Sequence, residues 1–559
     1  MFSNPDALLA RAIELFQRQQ LEEAQRCLQQ VLRVQPRNFD ALHVMGVVLA
    51  LRGQKEAALE HFFKAARIQP NHPRLNFNYA RLLAESGQDE KALPVHQKAV
   101  QAAPDYAPAW LNYGQSLMRL QRSAEARECF ERALALQPDY PEAQSRLASV
   151  LAQAGEHDRA LALFDQALAR MPDLVDALFN KGMLLDDLRR YPEAAEVFAE
   201  VVRLDPGYAK AWMNLGVALE RSGQAARAIE AYRRTSEADP SMPDPHHNLG
   251  ILLLGARDYA QGWVEHEWRL EMNDLGSFGK TLAAPRWDGR PDCRLFVWGE
   301  QGVGDQILYG SMLSDLPARL EAPVHVAVAD KLLPLMRRSI PGINFVSRDW
   351  TADRTAYDAH TPLGSLGRLL RPDAASFAGK GAYLRADPDK AARMRALTAA
   401  AGRPVCGLSW WSGNPNVGSD KSIPPALLQP LLELEGLAFA SLQYSPTDAD
   451  LQALRTLRPD FLDSVGGVDC FDDLDGLAAV IEACDVVVTV SNTTAHLAAA
   501  LGKPTVLMMP FTVGTLWYWV PVERKTPWYP SVTVLRQSAQ GDWQGPIRQA
   551  RELLEKHLG

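Results

Sequence analysis

Seven prolines recur every 34 residues through the first half of the chain, and this period constrains the fold more than any other feature of the sequence. They are Pro36, Pro70, Pro104, Pro138, Pro172, Pro206 and Pro240. On the same period, one position is always Ala or Gly, from Ala12 to Gly250, and the position twelve residues later is Ala in seven repeats, from Ala24 to Ala228. Four residues further on, most repeats carry Phe or Tyr. Small residues let paired antiparallel helices approach closely, and proline ends the second helix of each pair.

This spacing resembles the tetratricopeptide repeat (TPR) family. The resemblance implies a superhelical α solenoid over residues 1–272, with seven repeats and a degenerate eighth, whose groove binds a partner protein. One repeat position carries an asparagine in four repeats, and an amide can both donate to and accept from an extended peptide backbone. The alternative is a polar position that is solvated or bonded within the array. The predicted acceptor-binding residues are Asn112, Asn180, Asn214 and Asn248.

Composition and charge exclude several classes of function. The net charge of −8 argues against a sequence-independent nucleic-acid binder, which normally carries a basic surplus. The six cysteines include no CxxC pair, so we expect reduced thiols rather than a disulfide framework or a zinc site. No run of about 18 apolar residues indicates a membrane span, and no signal peptide is recognisable at the start. A cytoplasmic location is therefore the expectation.

The join between the two halves begins like another repeat and then becomes irregular. Residues 273–292 are rich in Gly and Pro without a clear period, which predicts a connector. Just before it lie Trp263 and Trp268, which we expect to pack the last helix against the next domain; ligand contact is the alternative reading.

The second half alternates short apolar strands with helices, which is typical of parallel sheets with right-handed crossovers. Two such series predict two Rossmann-like lobes, at residues 293–385 and 386–559. We expect the C-terminal helix to pack back across the first lobe. The predicted strands cover 293–299, 324–329, 343–347, 404–410, 438–443, 485–490 and 505–510.

The most specific motif of this half is a polar cluster directly after the strand at 485–490. Ser491, Asn492, Thr493 and Thr494 open a helix, where side chains cap some N–H groups and the remaining donors attract phosphate. The end of a parallel strand is also where α/β proteins bind ligands. The alternative is an N-cap without a ligand. His496, on the first turn, either contacts phosphate or packs locally.

This segment resembles the nucleotide-sugar motif of the heptosyltransferase-like glycosyltransferases (family 9), which have the two-lobed GT-B fold. It also looks like the phosphate-binding segment of O-GlcNAc transferase, itself a TPR–GT-B enzyme. Ser491 stands where the heptosyltransferase motif has an acidic residue, which puts the identity of the donor in doubt.

A glycine-rich loop after the first strand runs from Glu300 to Asp305. Gly302 and Gly304 permit a tight turn and close approach of a ligand to the backbone. The loop matches the GD of heptosyltransferases, where the aspartate is the catalytic base of an inverting transfer. The resemblance therefore assigns the base to Asp305, with Glu300 in reserve. The alternative for Asp305 is an N-cap of a helix that starts at Gln306.

A third motif follows the strand at 404–410. The resemblance places the family's phosphate-neutralising lysine at Lys421, which would stabilise the charge of a leaving nucleotide; a solvated surface lysine is the alternative. Ser412 and Asn414 are predicted to bind phosphate or sugar, and Gln443 to lie near the donor base or ribose.

Together these resemblances imply a metal-independent GT-B glycosyltransferase that needs no cofactor besides its nucleotide-sugar. Among proteins that combine TPR repeats with a GT-B domain, the chain is similar to TPR-type flagellin glycosyltransferases. That implies transfer to Ser or Thr of an acceptor protein, flagellin being one candidate, from a donor such as CMP-linked pseudaminic acid, a nonulosonic acid. Two alternatives stay open: a TPR scaffold whose GT-B domain has lost catalysis, which Ser491 favours, and a transferase acting on a glycan or lipid.

Overall fold

The computed structural model describes residues 4–272, 277–348, 350, 356–378, 381–399 and 401–558. By its internal contacts the chain divides into two compact units, residues 1–211 and residues 212–559. The repeat period predicted a boundary at residue 272, whereas the second unit already begins within the seventh repeat. The last two repeats therefore belong to the same compact unit as the α/β half.

The first unit consists of six helical hairpins on the predicted period. Each glycine of the small position lies against the aromatic ring 16 residues later: a Cβ on Gly114 would stand 2.5 Å from Phe130, and one on Gly182 would stand 2.7 Å from Phe198. The helices are α1 (Pro5–Gln17), α2 (Leu21–Val34), α3 (Phe39–Leu51), α4 (Lys55–Ala66), α5 (Pro73–Glu85), α6 (Asp89–Ala102), α7 (Ala107–Arg119), α8 (Ser123–Leu136), α9 (Pro141–Gln153), α10 (His157–Arg170), α11 (Val175–Asp187) and α12 (Tyr191–Leu204).

The second unit begins with the last two hairpins. They comprise α13 (Ala209–Arg221), α14 (Ala225–Ala238), α15 (Pro243–Gly255) and α16 (Tyr259–His266), and a 3-10 turn follows at Glu267–Glu271. The eighth hairpin keeps the small positions of the period, and its backbones touch: a Cβ on Gly250 would lie 2.6 Å from the backbone nitrogen of His266.

Two all-parallel sheets follow, with strand orders β3-β2-β1-β4 and β6-β5-β7-β8-β9. All seven predicted strands are present, and the sequence analysis missed β4 and β9. The strands are β1 (Leu295–Trp298), β2 (Val324–Val328), β3 (Ile343–Ser347), β4 (Ala359–Pro362), β5 (Val405–Ser409), β6 (Ala438–Ser441), β7 (Val486–Val490), β8 (Thr505–Met509) and β9 (Val532–Arg536).

The remaining helices of the second unit lie before, between and after the strands of the two sheets. They are α17 (Ser277–Lys280), α18 (Val303–Gly310), α19 (Leu333–Ser339), α20 (Gly367–Leu370), α21 (Pro388–Ala399), α22 (Gly418–Lys421), α23 (Gln429–Leu432), α24 (Asp448–Leu457), α25 (Leu474–Ala483), α26 (Thr493–Ala500) and α27 (Gln544–Leu558). None of the described helices is both long and apolar enough to cross a bilayer.

The C-terminal helix packs on the second sheet, so the expectation that it crosses the first lobe is wrong. α27 lies against β8, β9 and α23. Its buried residues Ile547, Ala550 and Leu554 share one apolar cluster with Met508 and Leu535 of the neighbouring strands. The helix therefore completes the core of its own lobe.

One continuous apolar core joins the last repeat to both sheets. It includes Trp263 of α16, Val297 of β1 and Val487 of β7. The indole Nε1 of Trp263 donates to the carbonyl of Arg371 at 2.8 Å, as expected for a residue that fastens the repeats to the next domain. Trp268 does not take that role, because its ring stacks on His246 at 4.3 Å and remains half-buried.

Candidate active site

Asp305 lies in the first turn of α18, directly after the end of β1. The helix begins at Val303 with Gly302 as its N-cap, so Asp305 is not the N-cap of a helix that starts at Gln306. The carboxylate accepts hydrogen bonds from the Gly302 backbone and, at 3.3 Å, from the Tyr518 hydroxyl. Burial raises the pKa of Asp305 to about 6, and the hydrogen bond from Tyr518 acts against this shift. A carboxylate with such a pKa is suited to take up a proton near neutrality.

Lys421, the last residue of α22, is only 3% exposed, so the alternative of a solvated surface lysine is wrong. Burial lowers the pKa of its ammonium to about 8, and the charge of Asp305 opposes this shift. Among the residues that the structure describes, no hydrogen bond engages this ammonium. A buried charge without a hydrogen-bond partner is costly, and an anion bound next to Lys421 would offset that cost.

Glu300 is engaged in a buried ion pair. Its carboxylate lies 2.8 Å from the guanidinium of Arg269, which follows α16, and accepts from the Gly364 backbone at 3.1 Å. Arg269 is fully buried and also donates to the Ser365 hydroxyl. These contacts hold Glu300 at the start of the glycine-rich loop, and its role as a reserve base stays a prediction.

The polar cluster at the start of α26 ties three strands together. Asn492 caps the helix by accepting from the Ala495 backbone, and its amide donates to the Ser409 hydroxyl at 2.8 Å and to the Trp411 carbonyl at 3.1 Å. Thr494 donates to the carbonyl of Leu442. The expected capping is therefore present, and phosphate binding by these residues stays a prediction.

Ser491 and Thr493, the other two residues of this polar cluster, differ from Asn492 and Thr494 in their side-chain contacts. The Ser491 hydroxyl is buried and has no hydrogen-bond partner within the described part of the chain. Thr493 is half-buried and lines a cleft described below. Both side chains thus keep hydrogen-bonding capacity at a helix N-terminus, where anions are favoured.

His496 packs locally, in agreement with one of its two readings. Its Nδ1 lies 3.1 Å from the Tyr529 hydroxyl, and its ring contacts Trp519 at 4.7 Å between centroids. Burial lowers the pKa of His496 to about 3, so the imidazole is neutral at physiological pH. A Cβ on Gly304 would stand 3.1 Å from this ring, so glycine at 304 lets α18 approach α26 closely.

Gln443 and Asn414 hold the backbone of the loop after β5. The Gln443 side-chain oxygen accepts from the backbone nitrogens of Trp410 and Trp411, both at 2.9 Å. Asn414 accepts from the nitrogens of the second and third residues after it. Ser412 is buried and its backbone donates to Ser422. Donor contacts by Ser412, Asn414 and Gln443 therefore stay predictions.

A cleft of about 400 Å³ opens beside these loops. Three aromatic rings contribute to it. None of them was predicted as a site residue, although Trp411 and Tyr444 each follow the end of a strand. The lining residues are Val303, Lys331, Trp411, Gly413, Tyr444, Ser445, Cys470, Phe471, Leu474 and Thr493. Within the described residues, no group of His, Cys, Asp or Glu is arranged as a metal site would require.

The four asparagines that are predicted to bind the acceptor are half-buried. In the first unit, Asn180 donates to the Ser149 hydroxyl at 3.3 Å. In the second unit, Asn248 is hydrogen-bonded to Tyr232. These bonds fit the alternative of a polar position bonded within the array; acceptor binding by Asn112, Asn180, Asn214 and Asn248 stays a prediction.

Comparisons with known proteins confirm the repeats. Tetratricopeptide repeat family models match residues 9–73, 73–116, 111–174 and 179–243. Protein FlbA of Caulobacter vibrioides is 28% identical over 314 residues, which are 52% of each chain, so this chain spans about half the length of that relative.

Similar solved structures are also TPR proteins. YrrB, described as a TPR protein with an unusual peptide-binding site, is 26% identical with a TM-score of 0.30 over 34% of this chain and 98% of its own. A TPR protein from Parabacteroides merdae is 18% identical with a TM-score of 0.37, over 44% of this chain and 98% of its own.

Proposed function

We propose that the protein is a glycosyltransferase of the GT-B type, which transfers a sugar from a nucleotide donor to a hydroxyl of an acceptor protein. The observation that carries this proposal is the pair of buried, oppositely charged groups Asp305 and Lys421, whose pKa values are shifted towards neutrality. Perturbed groups of this kind concentrate in functional sites. They lie at the carboxyl ends of two parallel sheets, where α/β proteins bind their ligands.

The two groups have complementary roles in the proposed reaction. With a pKa of about 6, Asp305 is mostly ionised at pH 7 and accepts the proton of the acceptor hydroxyl as that oxygen attacks the anomeric carbon. Lys421 stabilises the negative charge that develops on the phosphate of the leaving nucleotide. The N-terminus of α26 and the Ser491 hydroxyl, which has no hydrogen-bond partner among the described residues, add donors for the same phosphate.

The repeats supply the binding surface for the acceptor protein in this proposal. The resemblance to TPR-type flagellin glycosyltransferases makes flagellin the first acceptor to test. The same resemblance makes a CMP-linked nonulosonic acid such as pseudaminic acid the first donor. Lys421, rather than a metal ion, is proposed to neutralise the phosphate.

A scaffold without catalysis is the competing function. Ser491, in place of an acidic residue, is the feature that favours it. A scaffold would gain stability by replacing the buried Asp305 and Lys421, because buried charges cost free energy. Asp305 and Lys421 are both present and interact with each other, which supports an enzyme rather than a scaffold.

Transfer is tested by the intact mass of purified flagellin after incubation with CMP-pseudaminic acid and the protein. We expect a mass increase of one or more sugar residues with the wild type and none with Asp305→Asn, while Asp244→Asn, an exposed aspartate of α15, retains transfer. Full transfer by Asp305→Asn would show that Asp305 is not the catalytic base. If the wild type modifies neither flagellin nor other proteins of a lysate with any nucleotide-sugar, the proposal fails.

A further inference from the structure

The cleft beside the proposed catalytic pair has an aromatic wall that the roles assigned above do not use. The wall consists of Trp411, Tyr444 and Phe471. Trp411 is 39% exposed and Phe471 is 50% exposed, which is unusual for large aromatic side chains in this chain. The ring centroids of Trp411 and Tyr444 are 5.5 Å apart, and those of Tyr444 and Phe471 are 6.1 Å apart.

We infer that this aromatic wall is the surface on which the base of the donor nucleotide stacks, an inference that rests on the proposed function. Stacking on both sides of a planar base needs two rings about 7 Å apart, which is more than either neighbouring pair offers. The base therefore lies along the wall rather than between two neighbouring rings. Val303 and Leu474 supply apolar side chains to the same cleft.

The rings are held in place before any ligand binds. The Tyr444 hydroxyl accepts from the Gly413 backbone at 2.6 Å, and Gln443 and Asn492 bind the backbone of Trp411. Lys331 donates to the Phe471 carbonyl at 2.8 Å and lies 4.0 Å above the ring of Phe471. Because the wall is preorganised, little side-chain entropy is lost when a base binds.

The position of the aromatic wall favours a nucleotide over an apolar ligand that lacks a phosphate. The same cleft is lined by Val303, which precedes Gly304 and Asp305, and by Thr493 at the N-terminus of α26. A base on the wall therefore leaves its phosphate at the anion-favouring end of α26. An apolar ligand without a phosphate would not use that end of the cleft.

A stacking wall predicts how binding depends on the rings. Every base has a π-face, and loss of one aromatic partner typically weakens binding about five-fold to hundred-fold. The aromatic character of residues 411 and 471 should therefore control affinity for nucleotides. It should have no effect on affinity for a sugar phosphate that lacks a base.

The test is calorimetric titration of the full chain with CMP, UDP, GDP and ADP, and with ribose 5-phosphate. For the tightest-binding nucleotide we expect Trp411→Ala to raise Kd at least ten-fold and Trp411→Phe to raise it less than three-fold. Phe471→Ala should raise Kd more than five-fold. The matched control is Phe63→Ala, since Phe63 is 53% exposed on α4 and should leave Kd unchanged.

The outcomes separate this inference from the proposed function. If a nucleotide binds the wild type and the Trp411→Ala and Phe471→Ala variants with the same Kd within two-fold, the aromatic wall is not the base site although the transferase proposal stands. Equal weakening of ribose 5-phosphate and of nucleotides also overturns the inference, because it would indicate lost structure. If the wild type binds no nucleotide, the proposed function and this inference both fail.

Discussion

At the scale of single residues, the site depends on two charges that folding brings together. Asp305 follows the first strand of one sheet and Lys421 follows the first strand of the other, so their sequence positions do not predict that they interact. The resemblance to known transferases selected both residues. Their burial shifts both pKa values towards neutrality, and their mutual interaction opposes both shifts. Neither effect could be predicted without the structure.

We predict a bell-shaped pH dependence of kcat/KM for transfer. Asp305 must be ionised, so activity is lost as the pH falls below about 6. Lys421 must be protonated, so activity is lost as the pH rises above about 8. The profile is measured from initial rates between pH 5 and 9. Constant kcat/KM down to pH 5 would contradict Asp305 as the base.

Replacing both charges should stabilise the fold. Asp305→Asn together with Lys421→Met is expected to raise the free energy of unfolding at pH 7 by about 1–4 kcal/mol, and more than either single change, since a single change isolates the other buried charge. Urea unfolding of all four proteins measures this.

The increase in the free energy of unfolding caused by the double substitution should also be smaller at pH 5 than at pH 7. The pKa of Asp305 is raised on folding, so its contribution to stability is present at low pH and is lost as the pH rises through about 6. A double variant less stable than the wild type at pH 7 would contradict the view that these charges are retained for function.

At the scale of elements, regular apolar strands were predictable and polar or irregular ones were not. Strands such as β7, with five buried residues in succession, produce an unmistakable apolar run. β4 contains the sequence AHTP, in which His360 and Thr361 are buried, and no apolar period marks it. β9 lies in a C-terminal segment with many turns, so the alternation of apolar and polar residues in this strand is hard to recognise in the sequence. The aromatic wall was missed because its rings come from three separate loops.

The Arg269–Glu300 ion pair links the end of the repeats to the glycine-rich loop that carries Asp305. Arg269→Met leaves the Glu300 carboxylate buried without its cation, and we expect a loss of about 3–5 kcal/mol in the free energy of unfolding. Urea unfolding measures the loss. The control is Arg234→Met, whose ion pairs are exposed and should contribute less than about 1 kcal/mol. Equal effects of the two changes would show that the buried pair does not hold the loop.

At the scale of the whole molecule, the repeats and the α/β half are not separated where the repeat period ends. The alternation of short apolar strands with helices correctly predicted two series of parallel strands, and the 34-residue period correctly predicted the repeats. Packing of Trp263 against the α/β half was expected from its place at the join, whereas nothing in the sequence indicated that Arg269 is buried there as well. Those contacts depend on tertiary packing, which a repeat period does not encode.

This organisation predicts where the chain can be cut. A fragment of residues 206–559 retains α13 to α16 and should unfold cooperatively on heating. A fragment of residues 273–559 lacks Trp263 and Arg269, exposes the surface that they cover, and should be insoluble or melt at a much lower temperature. Circular dichroism melting curves distinguish the two. A stable, cooperative fragment 273–559 would contradict the joint core.

The central claim is that the α/β half binds a nucleotide through Lys421, and calorimetry tests it most directly. The full chain is titrated with UDP, GDP, ADP, CMP and CDP, beside Lys421→Met and the exposed-lysine control Lys64→Met. We predict that one nucleotide binds the wild type and Lys64→Met with the same micromolar Kd, and binds Lys421→Met at least ten-fold more weakly. Binding of no nucleotide, or equal binding by Lys421→Met, would contradict the account.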